Sequence, residues 1–177
     1  MNSLLSPDRV KEIKEMANAV LADSPGNDPY QRITHIAEKN GIKILQSDLY
    51  EMSGALRKEG EDWVIYVNKS DSSQRKLFTI AHELGHFFVH KKERDEFIDG
   101  QLISRNEQEK NAAIELEANE FAGNLIMPEQ EIKQKIPAAI TEETIQELAR
   151  SFNVSTLAME TRLKNLGYGN LFEKQRQ

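Results

Sequence analysis

The segment from Ser73 to His90 constrains this chain most, because it must be a helix with two different faces. Leu77, Ile80, Ala81, Leu84 and Phe88 recur at i, i+3, i+4, i+7 and i+11, the spacing of one apolar helical stripe. Three of the four histidines fall in the same stretch, Ala81-His82-Glu83-Leu84-Gly85-His86-Phe87-Phe88-Val89-His90. Residues four apart on a helix project side by side, so His82 and His86 can converge on one metal ion while Glu83 reaches water held there. At about 100° per residue the pair lies roughly opposite the Leu77, Ile80 and Leu84 stripe, bordered by Phe78, Phe87 and Val89. A solvated face would not be bordered this way. The helix reads as a wall, with one side on a core and the other on a cleft.

The H-E-x-x-H spacing points to hydrolysis. Two neutral imidazoles and one carboxylate leave a position on Zn²⁺ for water, whose pKa falls to about 7 there. Glu83 is then the general base that takes the proton and passes it to the leaving amine. The third ligand must come from another element, since Val89 and Lys92 stand where a continuation of the motif would need Gly and His. His90, one turn past His86, is a candidate to support the ligands or line the cleft, because three ligands on one straight helix cannot surround an ion.

The better source is Glu115-Leu116-Glu117-Ala118-Asn119-Glu120-Phe121-Ala122. Glu115 and Glu117 are roughly 200° apart on a helix, so at most one faces the metal. Glu115 lies nearer the Ile114, Ala118, Phe121 and Leu125 stripe and is favoured. Glu117 remains the alternative ligand, its other reading being a solvated face shared with Glu120. Asn119, one turn after Glu115, is placed to hydrogen-bond a ligand histidine.

Around these segments the pattern is α+β. Ser6-Pro7 starts a helix over roughly 7 to 22, and a second runs from about Tyr30 to Gly41. Ile42 to Leu45 reads as a strand, and Gly54 to Lys58 with Trp63 to Val67 as a hairpin. A small antiparallel sheet with surrounding helices follows, with the histidine helix packed on it. If the Trp63 to Val67 strand lies at the sheet edge, it can take extended substrate as an added strand. Lys91 to Gln108 is polar enough to read as a surface excursion, and a further helix runs from about Glu109 to Ile126, ended by Pro128. Pro137 marks the boundary between a metallopeptidase domain, 1–136, and a C-terminal helical subdomain, 137–177. There Thr141 opens a helix, Phe152 to Ser155 is a turn, and a second helix leads to Gly167, a pair that resembles a helix-turn-helix.

Composition excludes several classes of function. The chain has no cysteine, so thiolate metal sites, disulfides and a Cys nucleophile are excluded together. A net charge of −6 argues against broad attraction to nucleic acid or anionic lipid. From 141 onward Glu142, Glu143, Glu147, Glu160 and Glu173 balance Arg150, Arg162, Lys164, Lys174 and Arg176, so direct nucleic-acid binding by the C-terminal pair is not expected. No apolar run approaches the roughly 18 residues of a membrane span, and the first residues lack the basic and apolar regions of a signal peptide, so a cytoplasmic location is expected.

Arg75-Lys76-Leu77-Phe78-Thr79-Ile80-Ala81-His82-Glu83-Leu84-Gly85-His86, then Glu115 to Ala122, then Leu125-Ile126-Met127-Pro128, resemble the ImmA/IrrE-type zinc metallopeptidases over roughly 30 to 130. The resemblance implies a gluzincin-like site of two histidines and one glutamate on zinc. By position it carries over His82, Glu83 and His86, while both glutamates of Glu115-Leu116-Glu117 match the third ligand. Members of the family, from bacteria and mobile genetic elements, cleave helix-turn-helix repressors and so relieve repression. The expected function is therefore a zinc-dependent endopeptidase acting on one protein substrate. The competing reading is a DNA-binding or partner-binding regulator with a non-catalytic zinc site, against which Glu83 counts, since a structural site has no need of a general base.

Overall fold

The computed structural model describes residues 5–24, 26, 28–98, 105–137 and 139–169. The chain divides into two compact units, Met1–Leu125 and Ile126–Gln177.

In the first unit, α1 (Pro7–Ala22) begins where the Ser6 hydroxyl accepts the Arg9 amide at 3.2 Å, and α2 (Pro29–Lys39) where Asp28 accepts the Gln31 amide at 2.8 Å. Each cap satisfies an amide that the first helical turn leaves without a partner. Gly41, at φ +68°, then turns the chain into β1 (Ile42–Ser47). β2 (Gly54–Glu59) and β3 (Asp62–Asn68) form the expected antiparallel hairpin, closed by Gly60 and Glu61. Gly60 adopts φ +64°, the positive value that a tight hairpin turn demands.

The fold is α+β, as expected, but the sheet is mixed rather than antiparallel throughout, because β1 joins it parallel to β3. The strand order is β1-β3-β2-β4, with β1 parallel to β3 and the other pairs antiparallel. β3 is therefore an interior strand, and the expectation that Trp63 to Val67 could receive a substrate strand at an edge is overturned: both its sides are already paired. Val64 and Ile65, which point to opposite faces, are both buried, so the sheet centre is covered on each side.

α3 (Ser73–Gly85) packs on β2 and β3 through Leu77, Ile80, Ala81 and Leu84, all fully buried. The helix does not continue unbroken to His90, because His86–His90 form a π-helical turn. Nor is the following segment wholly a surface excursion. Glu96–Ile98 form β4, antiparallel to β2, and Phe97 is buried. The rest of that segment up to residue 104 includes 99–104, outside the described residues, and α4 (Arg105–Ile126) starts earlier than its apolar pattern indicated.

α3 and α4 meet closely at Gly85. A Cβ there would stand 2.9 Å from the Ala118 Cα and carbonyl oxygen, closer than any side chain tolerates. Glycine at this point lets the α4 backbone approach the histidine helix, and that approach carries Glu115 to the histidines.

The second unit contains α5 (Glu129–Lys135), α6 (Glu142–Ser151) and α7 (Thr156–Asn165). Thr141 and Thr144 form a reciprocal capping box, and Ser155 caps α7. Buried Arg162 donates from Nε to the Met127 carbonyl at 3.1 Å, fastening α7 to the chain just before α5. Among the described residues no helix is long and apolar enough to cross a membrane.

Candidate metal centre

His82 at the end of α3 and His86 at the start of the π-helical turn point their Nε2 atoms at each other, 3.0 Å apart. From α4, Glu115 brings Oε2 to 3.1 Å from the His82 Nε2 and Oε1 to 3.5 Å from the His86 Nε2. Among the described residues these three form the group whose donor atoms all lie within 4.8 Å of one another. Three electron-pair donors aimed at one point repel each other unless a proton or a cation lies between them, and two nitrogens with one carboxylate are a hydrolytic zinc donor set. The residues present therefore fit a divalent metal.

Electrostatics at the site agree with that fit. Burial pushes the His86 pKa down, against the opposing pull of Glu115, and so favours the neutral imidazole that can ligate. Burial works against the charge on Glu115, but the His82 and His86 rings that it faces outweigh burial and hold the carboxyl well below the usual carboxylate range.

The groups behind these three candidate ligands are equally specific. The His82 Nδ1 lies 3.0 Å from the Asn119 Oδ1. The His86 Nδ1 lies 3.3 Å from the His90 Nδ1, and the His90 Nε2 lies 3.1 Å from the Glu117 Oε2. Glu117 thus turns to His90 rather than toward the His82 and His86 donor atoms, and its side chain is only 14% exposed. The solvated face read for it gives way to an ion pair with Arg9 of α1, whose Nε and Nη2 reach the two Glu117 oxygens at 2.9 and 2.5 Å. Glu120 is half-buried and accepts the Asn124 side-chain amide at 2.7 Å.

Glu83 is fully buried on the turn between the two histidines. The start of β2 makes room for its carboxylate, since a Cβ on Gly54 would stand 3.0 Å from the Glu83 Oε1 and 2.3 Å from the Thr79 Cγ2. Phe97 of β4 stacks on the His86 ring with centroids 4.6 Å apart, and Phe78 on His82 at 6.1 Å. Arg9, Gly54 and Phe97 were not visible as site residues in the sequence. Arg9 is 108 residues from its partner, Gly54 carries no chemistry of its own, and Phe97 sits among charged neighbours.

Two histidines and a glutamate brought together from packed helices, beside a sheet, make the kind of donor set that a hydrolytic metal site uses. Residues 37–164 match the family model for the IrrE N-terminal-like domain, a peptidase family, and the chain belongs to that family. It is 27% identical over 160 residues to the metallopeptidase ImmA of Bacillus subtilis strain 168, covering 89% of this chain and 87% of that protein. A solved structure of a Mycobacterium tuberculosis transcriptional regulator superposes with a TM-score of 0.54 at 20% identity, over 89% of this chain and 47% of the other. This chain spans about half of that regulator, and the likeness is one of fold.

Proposed function

We propose that this protein is a zinc-dependent endopeptidase that cuts one site in a specific protein, a helix-turn-helix transcriptional repressor, and so relieves repression. The observation that carries the reading is the convergence of His82, His86 and Glu115 beside the buried Glu83. His82 and His86 would hold the ion through Nε2, and Glu115 through its carboxylate. When bound, zinc polarises the scissile carbonyl and makes water acidic enough to lose a proton near neutral pH. Glu83 accepts that proton and delivers it to the leaving amine. Asn119 and His90 each accept a ring N–H from Nδ1 of a ligand histidine, which leaves the Nε2 electron pair free for the ion. Phe78 and Phe97 limit water around the ligand rings.

A protein substrate follows from the peptidase family, and the repressor from the resemblance of the sequence motifs. β4 has β2 as its one strand neighbour among the described residues, and its Phe97 touches His86. Extended substrate pairing along the other side of β4 would run past the centre. A regulator with a non-catalytic metal site draws on the regulator named among the similar folds and on the α6–α7 pair. Glu83 stands against it, as does the balance of charge from residue 141 onward.

The test is to incubate the purified protein with helix-turn-helix repressors encoded near it and to identify products by mass spectrometry. One defined cut that needs both metal and Glu83 is expected. Repressors left intact while unrelated unfolded proteins are cut at many sites would overturn the substrate assignment.

A further inference from the structure

A chain of contacts runs from the candidate centre to the N-terminal helix. It passes from His86 to His90, from His90 to Glu117, and from Glu117 to both Nε and Nη2 of Arg9. Arg9 also pairs with Glu12 through Nη1 at 2.7 Å. Exposure falls inward along the chain, with the side chain of Arg9 31% exposed, Glu117 14%, and His90 and His86 each 1%. We propose that Arg9 is a positioning residue for the metal centre, holding His86 in its ligating orientation through Glu117 and His90.

The inference rests on the reading of His86 as a ligand, and the direction of every hydrogen bond follows from it. With Nε2 turned to the ion as an electron-pair donor, the His86 proton must sit on Nδ1 and be donated to the His90 Nδ1. The His90 proton then sits on Nε2 and is donated to Glu117. Glu117 has only acceptors, and the two parallel N–H groups of Arg9 occupy its oxygens and fix the carboxylate plane. One tautomer satisfies the whole chain, and a break at either end releases the others. The π-helical turn has a place in this arrangement, since it carries both His86 and His90 and brings their rings within reach of each other. Arg9 itself lies before residue 37, where the match to the family model begins, so the N-terminal helix adds a contact that the matched region does not contain.

The alternative is that Arg9 makes an ordinary surface ion pair, which would contribute little to anything. Zinc affinity of the full chain, measured by competition with a chromogenic chelator, separates the two. His90→Phe should weaken binding by about 10–100-fold and Arg9→Ala by about tenfold, the range for groups behind a metal ligand. Arg9→Lys, which keeps the charge but loses the fork, should fall between Arg9→Ala and the parent protein. In the His90→Phe background Arg9→Ala should cause no further loss, because the connection is already cut. The visible spectrum of the cobalt-substituted protein, which reports ligand geometry, should shift in Arg9→Ala. Unchanged zinc affinity in Arg9→Ala, or an equal loss with and without His90, would overturn the proposal. Should Arg9→Ala fail to fold, Arg9→Lys in the two backgrounds carries the same comparison. His82→Ala with His86→Ala is the control: full zinc binding there removes the ligand reading itself, whereas loss there with no effect at Arg9 removes only the positioning role.

Discussion

Glu115 and Glu117 are separated by a single residue and turn to different partners, because a helix rotates roughly 200° between them. Glu115 meets the two histidine Nε2 atoms, and Glu117 meets His90 and Arg9. Glu115→Ala should therefore weaken zinc binding much more than Glu117→Ala, read by chelator competition. The reverse order would transfer the ligand role to Glu117. Glu83→Gln should leave zinc content and unfolding temperature unchanged while lowering the rate of peptide cleavage by at least about 10²-fold, since an amide keeps the shape but cannot take the proton. Cleavage near the parent rate by that variant would remove the general-base assignment. The spacing of His82, Glu83 and His86 was legible in the sequence because it lies within two helical turns. Which of the two glutamates faces His82 and His86 was legible from the angle around one helix and the apolar stripe beside it. The Arg9 contact was not legible, because no periodicity links residues 108 apart.

At the scale of elements, the centre depends on how closely α3 and α4 cross. Gly85 sits between His82 and His86, and the atoms nearest its absent Cβ belong to the Ala118 backbone, which cannot swing aside as a side chain would. Gly85→Ala should destabilise the protein by about 1–3 kcal/mol, the usual cost of overpacking, and weaken zinc binding together with stability. Denaturant midpoints and chelator competition measure the two effects, and an unperturbed midpoint would show that the crossing can relax. Helix starts such as Ser6-Pro7 and the hairpin around Gly60 were legible because caps and tight turns write their chemistry locally. The parallel pairing of β1 with β3, the three-residue β4 and the π-helical turn were not. Each is decided by tertiary partners, β2 and the His86 ring in the case of Phe97, and a Phe-Ile pair among Lys, Glu, Arg and Asp carries too short a pattern to signal it.

At the scale of the whole molecule, the residues of the candidate centre all belong to the unit ending at Leu125, while α5, α6 and α7 belong to the other. If the second unit serves substrate selection, removal of residues 127–177 should reduce cleavage of an intact repressor much more than cleavage of a short peptide spanning the same bond. Steady-state rates on both substrates, with zinc content and circular dichroism as controls, read this out. Equal losses in a folded, zinc-loaded truncated protein would show that those helices do not select the substrate. If His82, His86 and Glu115 make one hydrolytic zinc site, elemental analysis of the purified full chain will read it out. One zinc per chain is expected in the parent protein and none in the variant carrying both His82→Ala and His86→Ala. Zinc retained at the same stoichiometry in that variant would contradict it.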